Sequence, residues 1–171
     1  GYISAYYNYE EVISRSETEV YTGIGNFVAG KSISNNGNYF KGKLHNLRIW
    51  EKIITQGNLQ INSLSQLAGI EPGLLGYYPM NEGKDETCLD KARGANLTMN
   101  GGQWSMPLGY SVMFDGQSDL RINAGSAAIT KDMDYSIEFW FKAEAGQTNA
   151  TILSNGRGDG EDAFGSESLF A

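Results

Sequence analysis

The chain has 171 residues, with Lys+Arg 13 against Asp+Glu 20 and a formal net charge of -7. That length suits one sandwich or parts of two, and the acidic balance argues against a nucleic-acid surface, which needs clustered Lys and Arg to release phosphate counterions. Gly 22 against Pro 3, with only 19% charged residues, fits short strands and tight turns better than helices, while 40% hydrophobic residues can build a core.

Gly1 opens the chain without a charged-then-apolar leader, and Leu169-Phe170-Ala171 closes it in strand-like text. The chain therefore reads as a piece of something longer. Tyr2 to Tyr7, Glu11-Val12-Ile13 and Glu19-Val20-Tyr21 read as strands, punctuated by Gly23, Gly25 and Gly30. Asn36-Gly37 carries the strongest hairpin signal. Phe40 to Trp50 follows as a long strand with Leu47 and Ile49 on one face and Arg48 and Trp50 on the other.

One short helix is expected over residues 55–68. Thr55 can cap it, Leu59, Leu64 and Leu67 approximate an apolar stripe, and Gly69 stands where a C′ glycine belongs. Gly69-Ile70-Glu71-Pro72-Gly73 reads as a linker. Strand text then resumes at Leu74 to Pro79, Leu97 to Met99 and Ser111 to Phe114. In Tyr135 to Lys142 the alternation predicts Tyr135, Ile137, Phe139 and Phe141 in the core and Ser136, Glu138, Trp140 and Lys142 on the opposite face. Residues 156–165 read as a loop. The expected class is all-β, an antiparallel sandwich with one short helix.

Several strings resemble the laminin G-like, concanavalin A-like jelly-roll domains of large secreted and cell-surface proteins. Phe40-Lys41-Gly42 through Arg48-Ile49-Trp50 looks like that family's closing strand, followed by its short helix. Leu74 to Gly83, then Leu89-Asp90, looks like its opening strand and turn. Phe114-Asp115-Gly116 with Leu120-Arg121-Ile122, Tyr135 to Lys142, and Thr151 to Gly156 resemble the strands after it. Closing text precedes opening text. The resemblance thus implies the C-terminal part of one domain in residues 1–68, a linker at 69–73 and the N-terminal part of the next in 74–171, or both halves packed as one permuted sandwich. Pairing between residues 40–50 and 110–142 is the pattern expected of the permuted form. The resemblance also implies an extracellular or cell-surface location, with neighbouring domains of the same polypeptide as partners.

Catalytic constellations are thin. Cys88 and His45 are single, so neither a disulfide nor a zinc ligand set is available within the chain. Asp85-Glu86 and the acids near Asp159 do not alternate on a strand as a glycosidase pair would, and no enzymatic activity is expected. Calcium, which takes six to eight hard oxygens, is the metal the resemblance implies, with Asp90, Asp115 and Asp119 in the matching turns. Asp159, Glu161 and Asp162 form a separate candidate set. Arg157-Gly158-Asp159 is an integrin-type tripeptide, and Asn96-Leu97-Thr98 and Asn149-Ala150-Thr151 fit the N-glycosylation acceptor.

Sugar rings stack on exposed aromatics flanked by polar groups. Trp50 with Arg48, and Trp140 with Glu138, are the candidate ligand faces; the competing reading packs these Trp residues against protein. The expected function is a non-catalytic binding or adhesion module for a glycan or a cell-surface protein. The alternatives are a structural spacer in a tandem array and an accessory domain of a polysaccharide-degrading enzyme. Neither nucleic acid nor membrane insertion is expected, since no run reaches the roughly 18 apolar residues of a membrane helix.

Overall fold

The computed structural model describes residues 2–16, 27–32, 38–105, 111–122, 129, 133–157 and 161–162. Glu19-Val20-Tyr21 and Asn36-Gly37 lie outside them. In chain order the elements are β1 (Tyr2–Tyr7), β2 (Glu10–Ser16), β3 (Phe27–Ala29), β4 (Lys41–Trp50), α1 (Gln56–Ser63), β5 (Leu74–Tyr78), β6 (Thr87–Cys88), β7 (Leu97–Asn100), β8 (Gln103–Ser105), β9 (Ser111–Asp115), β10 (Asp119–Ile122), β11 (Ser136–Ala143), β12 (Leu153–Arg157) and β13 (Glu161–Asp162). The protein is all-β, with antiparallel sheets arranged as a sandwich and one short helix.

One sheet runs β13-β12-β3-β10-β7-β6 and the other β11-β4-β9-β8, with β5 also on β4. Both sheets mix strands from before and after the Gly69–Gly73 stretch. β3 pairs with β10 and β12, while β4 lies between β11 on one edge and β9 and β5 in succession on the other. The core between the sheets draws on both stretches too, with Phe40, Leu44, Leu47 and Ile49 packed among Leu97, Val112, Phe114 and Leu120.

β4 keeps its apolar side inward along ten residues only because it breaks step once. Leu44 and Leu47 are three residues apart, an odd spacing that would send them to opposite faces of a regular strand. The structure inserts a bulge there. Glu138 faces Arg48 and Trp140 faces His45, so Asn46 and Leu47 together oppose Phe139. Asn46 takes φ 57, the left-handed conformation that Asn tolerates better than most residues. Phe40, Gly42 and Leu44 before the bulge, and Leu47 and Ile49 after it, all face the core. Lys43, His45, Arg48 and Trp50 face out.

β11 follows its alternation: Ile137, Phe139 and Phe141 pack on the core while Trp140 points away. β5 is buried at every position. Leu75 and Tyr78 enter the main core, whereas Leu74 and Tyr77 join Trp50 and Ile54 in a second cluster on the outer side, where Leu59 and Leu67 cover it. Cover on both faces is why this strand reads as a continuous apolar run.

Thr55 caps α1 as expected, accepting the Asn58 N–H at 3.4 Å. The helix stops at Ser63, short of the predicted residue 68, and Leu64 is exposed rather than part of a stripe. The backbone turns at Leu64, whose N–H and that of Ser65 reach the Ile61 and Asn62 carbonyls, and the Arg48 guanidinium donates to the carbonyls of Asn62 and Ser65 just past the helix end. Gly69 serves a separate turn at φ +91, pressed so closely on Lys91 that a Cβ would lie 2.1 Å from its carbonyl oxygen.

β1 and β2 form a hairpin turned by Asn8 and Tyr9, both at positive φ, as a tight right-twisted hairpin requires. Tyr9 reaches Ser63 through its hydroxyl, and Tyr7 meets the Phe141 ring at 6.0 Å. Tyr2, Val12 and Ile13 remain exposed.

Candidate binding face

The outer side of β4 and β11 has a closed end and an open end. At the closed end Glu138 is the hub. It accepts from the Trp50 indole N–H at 2.9 Å, from Asn62 at 3.1 Å and from Arg48 at 3.4 Å. The Arg48 and Glu138 side chains are 2% and 12% exposed. Arg48 also lies over the Tyr77 ring, and the Lys52 ammonium sits 4.6 Å from the Trp50 ring centre. Three of the four predicted ligand-face residues, Arg48, Trp50 and Glu138, thus meet in one knot covered by α1. The Trp50 N–H and the Arg48 guanidinium are directed at Glu138 and at the Asn62 and Ser65 carbonyls and not at solvent.

Trp140 is separate. Two residues along β11 from Glu138, it is 45% exposed, and its cross-strand neighbour is His45. Next in the ladder Lys142 stands opposite Lys43, and Lys43 stands opposite Met113, which in turn faces Gln103. Lys43 Nζ donates to Ser105 Oγ at 2.6 Å. This open end combines an aromatic platform, hydroxyl and amide groups, and two ammonium groups. Trp104, the remaining tryptophan, packs inward and donates its N–H to the Asp85 carbonyl at 2.8 Å.

The predicted acids are dispersed. Asp90 is buried and its two oxygens accept the N–H groups of Tyr77, Ala92, Arg93 and Ala95 at 2.9 to 3.1 Å, which ties β5 to the turn before β7. Asp119 is buried among Arg121 at 2.7 Å, Asn100 at 2.8 Å and Lys31 at 3.4 Å. Burial works to raise its carboxyl, but the Arg121 and Asn100 hydrogen bonds and the nearby positive charges outweigh it and hold it below the usual carboxylate range. Asp115 is exposed and held low by the Gln117 N–H and then the Ser118 hydroxyl. Glu161 and Asp162 lie on β13 beside β12, and Asp159 lies outside the described residues, as does the Gly158-Asp159 part of the integrin-type tripeptide. Among the described residues no three His, Cys, Asp or Glu side chains gather in a metal-holding arrangement.

Cys88 is fully buried, and that burial, with the Glu82 charge adding to it, pushes the thiol up to about 12. It stays protonated at neutral pH and packs as a small apolar side chain. Of the two glycosylation acceptors, Asn149 is exposed beside a buried Thr151, whereas Asn96 is half-buried with its carbonyl accepting the Asp90 N–H.

No helix among the described residues is long and apolar enough to cross a membrane. Comparison with family models, curated proteins and solved structures returns no match to this chain.

Proposed function

We propose that this chain is a non-catalytic binding module, a laminin G-like unit of a large extracellular or cell-surface protein, whose open sheet face holds a glycan. The observation that carries the reading is Trp140. A large aromatic at 45% exposure stands on a sheet face opposite His45 and beside the Lys142–Lys43 pair, while its sequence neighbours Phe139 and Phe141 pack inward. Leaving such an indole wet forgoes on the order of 1.5–3 kcal/mol of burial, and a pyranose ring stacked on it recovers part of that area. The interleaving of β4 with β9 and β11 supports treating the two stretches flanking residues 69–73 as one permuted sandwich. Calcium has no part in this reading, since Asp90 and Asp119 direct their oxygens to protein donors.

A second reading, a spacer packed against neighbouring domains, draws on the β1–β2 hairpin, where Tyr2, Tyr7 and Val12 are more than half exposed. Binding of the protein and of Trp140→Ala to an immobilised panel of oligosaccharides separates the two. Retention of at least one saccharide, weakened about tenfold in the variant (roughly 1.4 kcal/mol), is expected. Retention of none, or equal retention by both proteins, leaves the spacer reading in its place.

A further inference from the structure

We infer that the saccharide held at the open face is acidic: a hexuronate whose ring stacks on Trp140 and whose carboxylate sits between Lys43 and Lys142. This rests on the glycan reading above and narrows it to a chemical class.

Lys142 stands directly opposite Lys43, and like charges in opposed positions weaken a sheet. The surrounding chain is acidic, with a net charge of -7, so carboxylates to relieve that repulsion are plentiful. Other cations on these strands have them. Lys41 pairs with Glu144 at 3.1 Å, and Arg48 with Glu138 at 3.4 Å. Among the described residues neither Lys43 nor Lys142 has a carboxylate in ion-pair reach. The row that crosses the sheet there, Lys142, Lys43, Met113 and Gln103, contains no acid at all.

Geometry selects the ligand further. Lys43 is held over the face by its bond to Ser105, which uses one of its three donors and leaves two. Strand residues two apart lie about 7 Å from one another, so the Trp140 platform and the Lys142 ammonium address points one sugar ring apart. A carboxylate borne on the ring carbon itself spans that distance while the ring stays on the indole. A neutral saccharide would leave both lysines without a carboxylate partner.

Calorimetric titration of the protein with an oligogalacturonate, a neutral galactan oligosaccharide of equal length and a sulfated galactan tests the inference. The expected result is selective binding of the oligogalacturonate, with Kd weakening severalfold between about 0.05 and 0.5 M NaCl as the charges are screened. The Lys43→Gln/Lys142→Gln double variant should lose at least tenfold in affinity while its urea midpoint holds or rises, because the like-charge opposition is gone. Equal binding of the neutral oligosaccharide overturns the charge assignment and leaves the glycan reading intact. Tighter binding of the sulfated galactan overturns the uronate assignment. Undiminished uronate binding by the double variant removes the lysines from the site, and binding of none of the three sugars overturns both this inference and the reading beneath it.

Discussion

Replacing Glu138 with Ala probes the closed end of the sheet face, where one carboxylate serves three donors. Its removal strands the Arg48 guanidinium, whose side chain is 2% exposed, with only the Asn62 and Ser65 carbonyls and the Tyr77 ring as company. Breaking one partner out of a buried ion pair costs about 3–5 kcal/mol. The Trp50 N–H, buried and bonded only to Glu138, adds a desolvation cost of about 1–3 kcal/mol if no water reaches it. Some solvent enters, because Glu138 itself is 12% exposed, so we expect a loss of about 3–5 kcal/mol in all. Replacing both charges at once, as Arg48→Met with Glu138→Leu, removes the stranded ion along with its partner. The double variant should therefore lie at least about 2 kcal/mol above the sum of the single effects. Urea unfolding at pH 7, with the slope checked for constancy, reads each value. A loss below about 1 kcal/mol for Glu138→Ala, or additive single effects, would refute the claim that the knot acts as a unit.

Gly69→Ala should cost more than Gly94→Ala, although both glycines have positive φ. The first adds a clash with the Lys91 carbonyl to about 1–2 kcal/mol of left-handed strain, whereas a Cβ at Gly94 meets nothing within 4 Å; equal urea midpoints would contradict this. Asp119 has its carboxyl depressed in the folded state, so it contributes stability that is complete above the unfolded value near 3.9 and is lost as pH falls through the lower folded value. Thermal melts from pH 7 down to about 2.5 should accordingly show a shallower acid decline for Asp119→Asn than for the parent, and parallel acid limbs would count against it.

Much of the sandwich could be read from the chain because inward and outward residues alternate along it. In β11 the aromatic positions at 137, 139 and 141 separate cleanly from 138, 140 and 142, and the structure keeps that split. Leu47 and Ile49 separate from Arg48 and Trp50 for the same reason. The bulge has a signal in the chain too: two core leucines, Leu44 and Leu47, an odd number of residues apart with Asn46 between them. The polar knot had no such signal. An arginine and a glutamate on strands are ordinarily solvated, and nothing local marks two residues 90 positions apart as partners. The end of α1 has no local signal either, since Leu64 and Leu67 continue the apolar spacing while the helix stops at Ser63. At the candidate face, alternation identified Trp140 as outward. Its lysine neighbours could be recognised only once the β4–β11 register was known.

The placement of β4 also governs the order in which the molecule can be made. Its edges are not both occupied until β11 arrives, and Arg48 waits 90 residues for Glu138. At about 5–20 residues per second, that gap is roughly 5 to 20 seconds of synthesis. During this interval a long strand rich in core side chains has no partner on one edge, a form in which unpaired strands invite association with other chains. The interval before β11 is made is therefore when β4 is most open to pairing with another chain.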